Sequence, residues 1–259
     1  MKRYIVGLAA LAMAWVALPA MADWYPGDGH KMHDPQLPDP IGWDIEILTS
    51  QHEIADDWRC SETGTVEDIH FWTSWAQDDI DFSIINSITA TIYSNVPGPP
   101  FSHPGQQPLW TQTFAPAQFT VVSPYGNGDQ GFADPQQDNF VGWGRPDHFQ
   151  YQQINIENIQ DPFTQTEGEI YWLGLFVDWS TTNSPIGWKT TLNPFLDVAV
   201  YRDYSGAWVP LIDPAGIPLD LAFVITGQPV IIPEPCTFVL LSLGVTGLFA
   251  FVWRRRRSR

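Results

Sequence analysis

Ile88-Thr89-Ala90-Thr91-Ile92-Tyr93 decides the fold class of this 259-residue chain. Successive side chains of an extended strand point to opposite faces, so Ile88, Ala90 and Ile92 line one face while the threonines and Tyr93 line the other. The same period of two appears upstream, where Ile69, Phe71, Thr73 and Trp75 alternate with His70, Trp72 and Ser74. Two near-continuous apolar runs, Ile170 to Trp179 and Leu219 to Thr226, fit strands covered on both sides. Shorter strands are expected at Trp110 to Phe114, Phe119 to Val122, Phe149 to Ile156 and Leu196 to Tyr201. Proline and glycine mark Val96 to Gly105 and Tyr125 to Pro135 as loops. No segment between 41 and 227 sustains a helical period, and no internal repeat is visible. The expected fold is all-β, a single antiparallel β-sandwich of roughly eight to ten strands, jelly-roll-like.

Outside this domain, 41–227, the character changes. Residues 23–40 hold Pro26, Pro35, Pro38 and Pro40 among aspartates and read as an extended arm. Lys2 and Arg3, an apolar run from Ile5 to Leu18 and the small-x-small site Ala20-Met21-Ala22 describe a secretory signal peptide over 1–22, cleaved after Ala22 by signal peptidase. At the other end, 228–232 is a short linker. Cys236 to Trp253 has no charge and no proline and is about the minimum length for a transmembrane helix. Arg254, Arg255, Arg256 and Arg257 follow as a cytoplasmic stop within the basic tail 254–259, which orients the helix with its N-terminal end outside. Both ends place the domain outside the cytoplasm.

Pro233-Glu234-Pro235 stands directly before that helix. The order Pro-Glu-Pro, apolar helix, arginine cluster over 233–259 resembles the PEP-CTERM sorting signal of Gram-negative bacteria. The resemblance implies a precursor anchored in the inner membrane with its domain on the periplasmic side. An exosortase would then process it near the motif and deliver it to the envelope, surface or extracellular matrix. The body also resembles a known type. Ile54-Ala55-Asp56-Asp57-Trp58-Arg59-Cys60, Gly64 to Trp72, Ile170-Tyr171-Trp172-Leu173, Gly187-Trp188-Lys189-Thr190 and Asp220 to Ile225 are similar, in that order, to an uncharacterised domain of exported proteins from planctomycete-like bacteria. That resemblance implies fold and location and adds no chemistry.

Between 23 and 232 five basic side chains face 28 acidic ones, a net charge of −23. Such a surface repels nucleic acid and anionic lipid and keeps an exported protein dispersed, so nucleic-acid binding is excluded. A domain this long buries enough core without disulfides, and Cys60 reads as a small packed side chain.

The residues carry no hydrolytic signature: there is no His-Glu-x-x-His and no Gly-x-Ser-x-Gly. Glu167 and Glu169 flank Gly168 as a turn pair. Ca²⁺ is the one cofactor the acidic turns suggest, with Asp79 and Asp81 in one cluster and Asp129 in another as candidate oxygen donors. Trp72, Trp75, Trp172 and Trp188 are assigned to the core, whereas Trp143 and Trp208 sit in glycine-flanked stretches suited to stacking on sugar rings. The expected function is non-catalytic, a structural or adhesive β-sandwich. A carbohydrate-binding module taking extracellular polysaccharide is the alternative, and a polysaccharide-active hydrolase the third reading.

Overall fold

The structure, a computed structural model, describes residues 23–47, 53–142, 144–180 and 185–227. The expected signal peptide, linker, sorting motif, transmembrane helix and basic tail lie outside the described residues. Among the described residues no helix is long and apolar enough to cross a membrane.

The domain is all-β, as the alternation predicts. Its strands in chain order are β1 (Trp43–Glu46), β2 (Ile54–Arg59), β3 (Gly64–Thr65), β4 (Asp68–Trp75), β5 (Ile85–Val96), β6 (His103–Phe114), β7 (Phe119–Asp134), β8 (Asn139–Val141), β9 (His148–Ile156), β10 (Thr164–Gln165), β11 (Ile170–Trp179), β12 (Ile186–Lys189), β13 (Val200–Arg202), β14 (Trp208–Pro210) and β15 (Phe223–Thr226). Among the described residues helix is confined to three-residue 3-10 turns such as Phe82–Ile84. One sheet runs β14-β13-β2-β11-β5-β6, and β3 pairs separately with β10.

The other large sheet closes on itself. Along β1-β12-β4-β9-β7 each neighbour pairs antiparallel, with Asp44 opposite Lys189, Trp188 opposite Thr73, Phe71 opposite Ile154 and Val122 opposite Gln153. The ring is completed by a parallel pairing of β7 with β1, Phe132 beside Asp44. β15 and β8 hang off this ring on β4 and β7. A five-stranded barrel with one parallel seam therefore stands where the sequence suggests a plain antiparallel sheet. A parallel pair needs a long crossover, and here nearly the whole first half of the domain supplies it.

One face of the ring packs against the six-stranded sheet. Ile45, Ile69, Phe71, Ile154, Trp188 and Phe223 from the ring join Ile54, Trp58, Ile88, Ala90, Ile92, Leu173 and Val177 in one buried cluster. Trp58 meets Phe223 edge to face at 6.2 Å, and Phe223 meets Trp188 at 5.9 Å. Fully burying each large apolar side chain contributes about 1.5–3 kcal/mol. The four tryptophans assigned to the core from sequence are all buried.

The segment Tyr125 to Pro135 is not a loop, because β7 runs through it to Asp134. Its glycines answer close approaches rather than turns. A Cβ on Gly126 would lie 2.2 Å from Tyr151 Oη, and one on Gly131 would lie 2.4 Å from the Trp43 ring. Register shifts between Val122 and Gly126 and between Asn127 and Gln130 bend the strand around the barrel. Gly131→Ala should therefore push Trp43 off the β1–β7 seam and cost about 1–3 kcal/mol. A lower urea midpoint with an unchanged slope would report it; an unchanged midpoint would mean the seam has slack.

The arm of residues 23–40 lies extended across the domain. It makes isolated bridges from Met32 to Cys60, Gln36 to Phe223 and Pro38 to Thr191. Trp24, Lys31, Met32 and Gln36 are buried there.

Candidate functional site

Cross-strand partners share a face, so Asp44, Lys189, Gln130 and His148 point to the same side of the ring. The irregular register of β7 with β9 brings Tyr151 to that side as well. Their contacts identify that side as the interior, since they join strands that are not neighbours. Lys189 on β12 donates from Nζ to Gln130 Oε1 on β7 at 2.5 Å and sits 5.2 Å from the centre of the Tyr151 ring on β9. His148 on β9 places Nε2 3.0 Å from Asp44 Oδ2 on β1. The same carboxylate oxygen accepts from Lys189 Nζ at 3.0 Å. Asp44, Lys189 and His148 are all 0 % exposed.

The charges balance. His148 Nδ1 lies 3.1 Å from Asp147 Oδ2, so both ring nitrogens face carboxylates and the doubly protonated ring satisfies both. Burial acts against the imidazolium, but Asp44 and then Asp147 outweigh it and raise His148 above its ordinary range. Burial likewise penalises the Asp44 carboxylate, yet Lys189 and His148 hold its pKa below the usual value. For Lys189 burial wins: its pKa is lowered despite the attraction of Asp44.

The strand ends at one mouth of the barrel surround a cavity of about 220 Å³ lined by Glu46, Asp79, Asp134, Asp147, Phe132 and Pro185 among others. Glu46 is pushed up to about 7, first by burial and then by Asp134. Its carboxyl should titrate by NMR near pH 7, and Asp134→Asn should move that midpoint down. A Glu46 midpoint in the ordinary carboxylate range would show the mouth to be well solvated.

A second hollow of about 350 Å³ follows the β1–β7 seam, lined by Ile41, Trp43, Asp129, Gly142, Gly144 and Arg145 among others. Trp43 is held there by Phe140, edge to face at 5.2 Å. It combines an indole, a carboxylate and a guanidinium, the groups that hold sugars.

The residues singled out from sequence do not converge. Trp143 lies outside the described residues, as do Ala20, Ala22, the sorting motif Pro233, Glu234 and Pro235, and Arg254 to Arg257. Trp208, on β14 rather than in a loop, carries the Arg202 guanidinium 4.1 Å from its ring centre and meets Tyr93 edge to face. Asp79 reaches the barrel mouth and Asp129 the seam hollow. Asp81 caps the 3-10 turn, accepting from the Ser83 amide at 2.9 Å and its hydroxyl at 2.6 Å. The three aspartates thus serve separate places, and among the described residues no group of three or more His, Cys, Asp or Glu is arranged to hold a metal ion. Gly168 has φ +84° between the two glutamates of its turn.

A further acidic cluster escaped the sequence reading. Asp56 and Asp57 are adjacent on β2, point to opposite faces, and are both 0 % exposed because β2 is covered on both sides. Asp56 accepts from the Leu221 amide at 2.7 Å, and Asp220 from the amides of Phe195 and Ala199. Burial, then Asp197 and Asp220, push Asp57 up to about 9. Asp220 is raised to about 6, chiefly by burial. The visible signal was Asp-Asp inside an apolar strand.

A domain family described as a domain of unknown function, DUF7901, matches residues 32–226, and the chain belongs to that family. No match was found among curated proteins or solved structures.

Proposed function

We propose that this member of the DUF7901 family is an exported, non-catalytic protein of the cell envelope, surface or extracellular matrix, with a structural or adhesive role. The observation behind this reading is that the groups best suited to acid–base chemistry, Asp44, Lys189 and His148, are sealed inside the barrel and matched to one another. A catalytic group must reach its substrate within hydrogen-bond distance, whereas a sealed, paired set holds strands in place. The finer architecture belongs to the same proposal: a jelly-roll-like sandwich, one layer the six-stranded sheet and the other the wall of the barrel. So does the route of delivery, with signal peptidase removing 1–22 and an exosortase acting on the PEP-CTERM tail over 233–259 before the chain reaches the surface.

Cell fractionation tests the role and route together. The processed chain should appear in the envelope or matrix fraction, and Glu234→Ala should leave it as an unprocessed membrane precursor. Unchanged processing of that variant would remove the exosortase from the account.

The composition of the seam hollow favours a second reading, a carbohydrate-binding module with Trp43, Asp129 and Arg145 against a polysaccharide. A glycan array separates the two. Retention of a defined polysaccharide, lost in Trp43→Ala and Asp129→Ala, would establish the module; no retention at millimolar sugar would eliminate it.

A further inference from the structure

Lys189, Gln130 and Asp44 meet inside the barrel in an arrangement with its own chemistry. The Lys189 Nζ lies 2.5 Å from the amide oxygen of Gln130 and 3.0 Å from Asp44 Oδ2. Gln130 is 1 % exposed and the other two are 0 % exposed, so bulk water does not compete for either the amine or the amide. An amine, a carbonyl carbon and a proton acceptor held together this closely gain the large effective concentration of an intramolecular reaction. We propose that Lys189 and Gln130 join through an internal isopeptide bond, with Asp44 as the base.

The step balances without any other reactant. The Lys189 ammonium gives a proton to Asp44 Oδ2, and the freed amine adds to Gln130 Cδ. The proton held by Asp44 passes to Gln130 Nε2 as the Cδ–Nε2 bond breaks. The attacking nitrogen gives its second proton to Asp44, which hands it to the departing ammonia. Ammonium leaves, Asp44 is again a carboxylate, and the new C–N amide bond remains. Burial favours the neutral amine that the addition needs. His148, 3.0 Å from the same Asp44 oxygen and backed by Asp147, is a positioning residue that fixes the carboxylate. The amide of Gln130 is the better acceptor of the nucleophile, because Asp44 is held ionised by its two cationic neighbours and a carboxylate repels attack.

The product would tie β12 to β7 across β1, linking positions 59 residues apart in the chain. It would lock the barrel against opening, since β1 would be trapped between the joined strands. Nothing in this step depends on the proposed role at the surface.

Mass spectrometry of the exported chain, denatured and reduced, tests the proposal. The expected mass lies about 17 Da below the sequence value, one ammonia per chain. Trypsin should fail to cut at Lys189, and cleavage after glutamate, at Glu157, Glu167 and Glu169, should leave the fragment holding Lys189 joined to the one holding Gln130. Lys189→Arg and Gln130→Leu should each restore the full mass, and Asp44→Asn, which keeps both joined residues, should slow the bond's formation. An uncrosslinked, folded wild-type chain that trypsin cuts at Lys189 once denatured would overturn the proposal. A loss of about 18 Da mapped to Asp44 and Lys189 would overturn it too, since that is water leaving a carboxyl.

Discussion

In chains whose Lys189 and Gln130 have not yet joined, Lys189→Met is expected to cost about 3–5 kcal/mol of folding stability, because it leaves a buried carboxylate without its cation. Asp44 would keep only His148 as a charged partner, 3.0 Å away, in a ring interior from which water is excluded. Its position would make the loss worse than an ordinary large-to-small change. Lys189 is the residue that contacts β1, β7 and β9 at once, through Asp44, Gln130 and the Tyr151 ring. Methionine refills much of the volume, so the effect reads charge and hydrogen bonding rather than a cavity. The double variant Asp44→Leu with Lys189→Met should be more stable than the single one, since an apolar pair of similar volume leaves no uncompensated lysine or aspartate. Urea unfolding followed by tryptophan fluorescence would show both differences. If the single variant unfolds at the wild-type midpoint, the interior ion pair contributes nothing.

Asp57→Asn should do the opposite and stabilise the protein on the order of 3 kcal/mol at pH 8. Neither Asp57 carboxylate oxygen is met by a well-aligned hydrogen bond, the Asp197 amide offsets only a small part of the burial, and the neighbours Asp197 and Asp220 are also acidic. A carboxyl whose folded pKa is raised from 3.8 to about 9 binds more protons folded than unfolded across that interval. Stability therefore falls as pH rises through it, and the deficit is absent below the unfolded value. Asp220, raised to about 6, and Glu46, raised to about 7, slope the same way. His148 agrees: its raised folded pKa stabilises in acid and is lost as pH rises through that value. The wild type should thus be most stable near pH 4–5, below which Asp44 loses its ionised form. It should weaken toward pH 8, with the lowered pKa of Lys189 opposing the decline at the alkaline end. Asparagine removes the ionisation and offers an amide donor to the neighbouring carboxylates, so the variant's profile should be flatter. A wild-type melting temperature independent of pH from 5 to 8 would contradict the burial of this cluster.

How far the sequence could be read depends on which signals are local. The alternation in β4 and β5 and the apolar run of β11 are properties of a few consecutive residues, and those strands are where the pattern puts them. The core tryptophans follow from their bulk, since large aromatics fill β-sheet interiors. Trp72 and Trp75, on opposite faces of β4, are both buried because the strand is covered on both sides. Ring closure does not, because the parallel pairing of Trp43–Ile45 with Gly131–Ala133 joins segments far apart in the chain. That closure inverts the meaning of the pattern: Asp44, Lys189 and His148 lie on strand faces that read as solvent-facing until the ring folds them inward. Gly126, Gly128 and Gly131 read as a loop because glycine marks turns more often than the tight packing seen here. Trp208 was legible as an aromatic near glycine, but the Arg202 that covers it comes from the partner strand β13. Asp56 and Asp57 needed only one observation, that two adjacent aspartates in an apolar strand cannot both face water if the strand is covered on both sides.

The central claim is that the Asp44–Lys189 pair inside the closed barrel holds the fold together. A double-mutant cycle on Asp44→Leu and Lys189→Met, all four chains taken before Lys189 and Gln130 join, measures it directly, through the part of the two destabilisations that is not additive. The account predicts a coupling of about 2–3 kcal/mol, the double variant losing far less than the sum of the single losses. Additivity within about 0.5 kcal/mol would mean the two side chains do not act on each other, and the sealed, paired interior would be refuted.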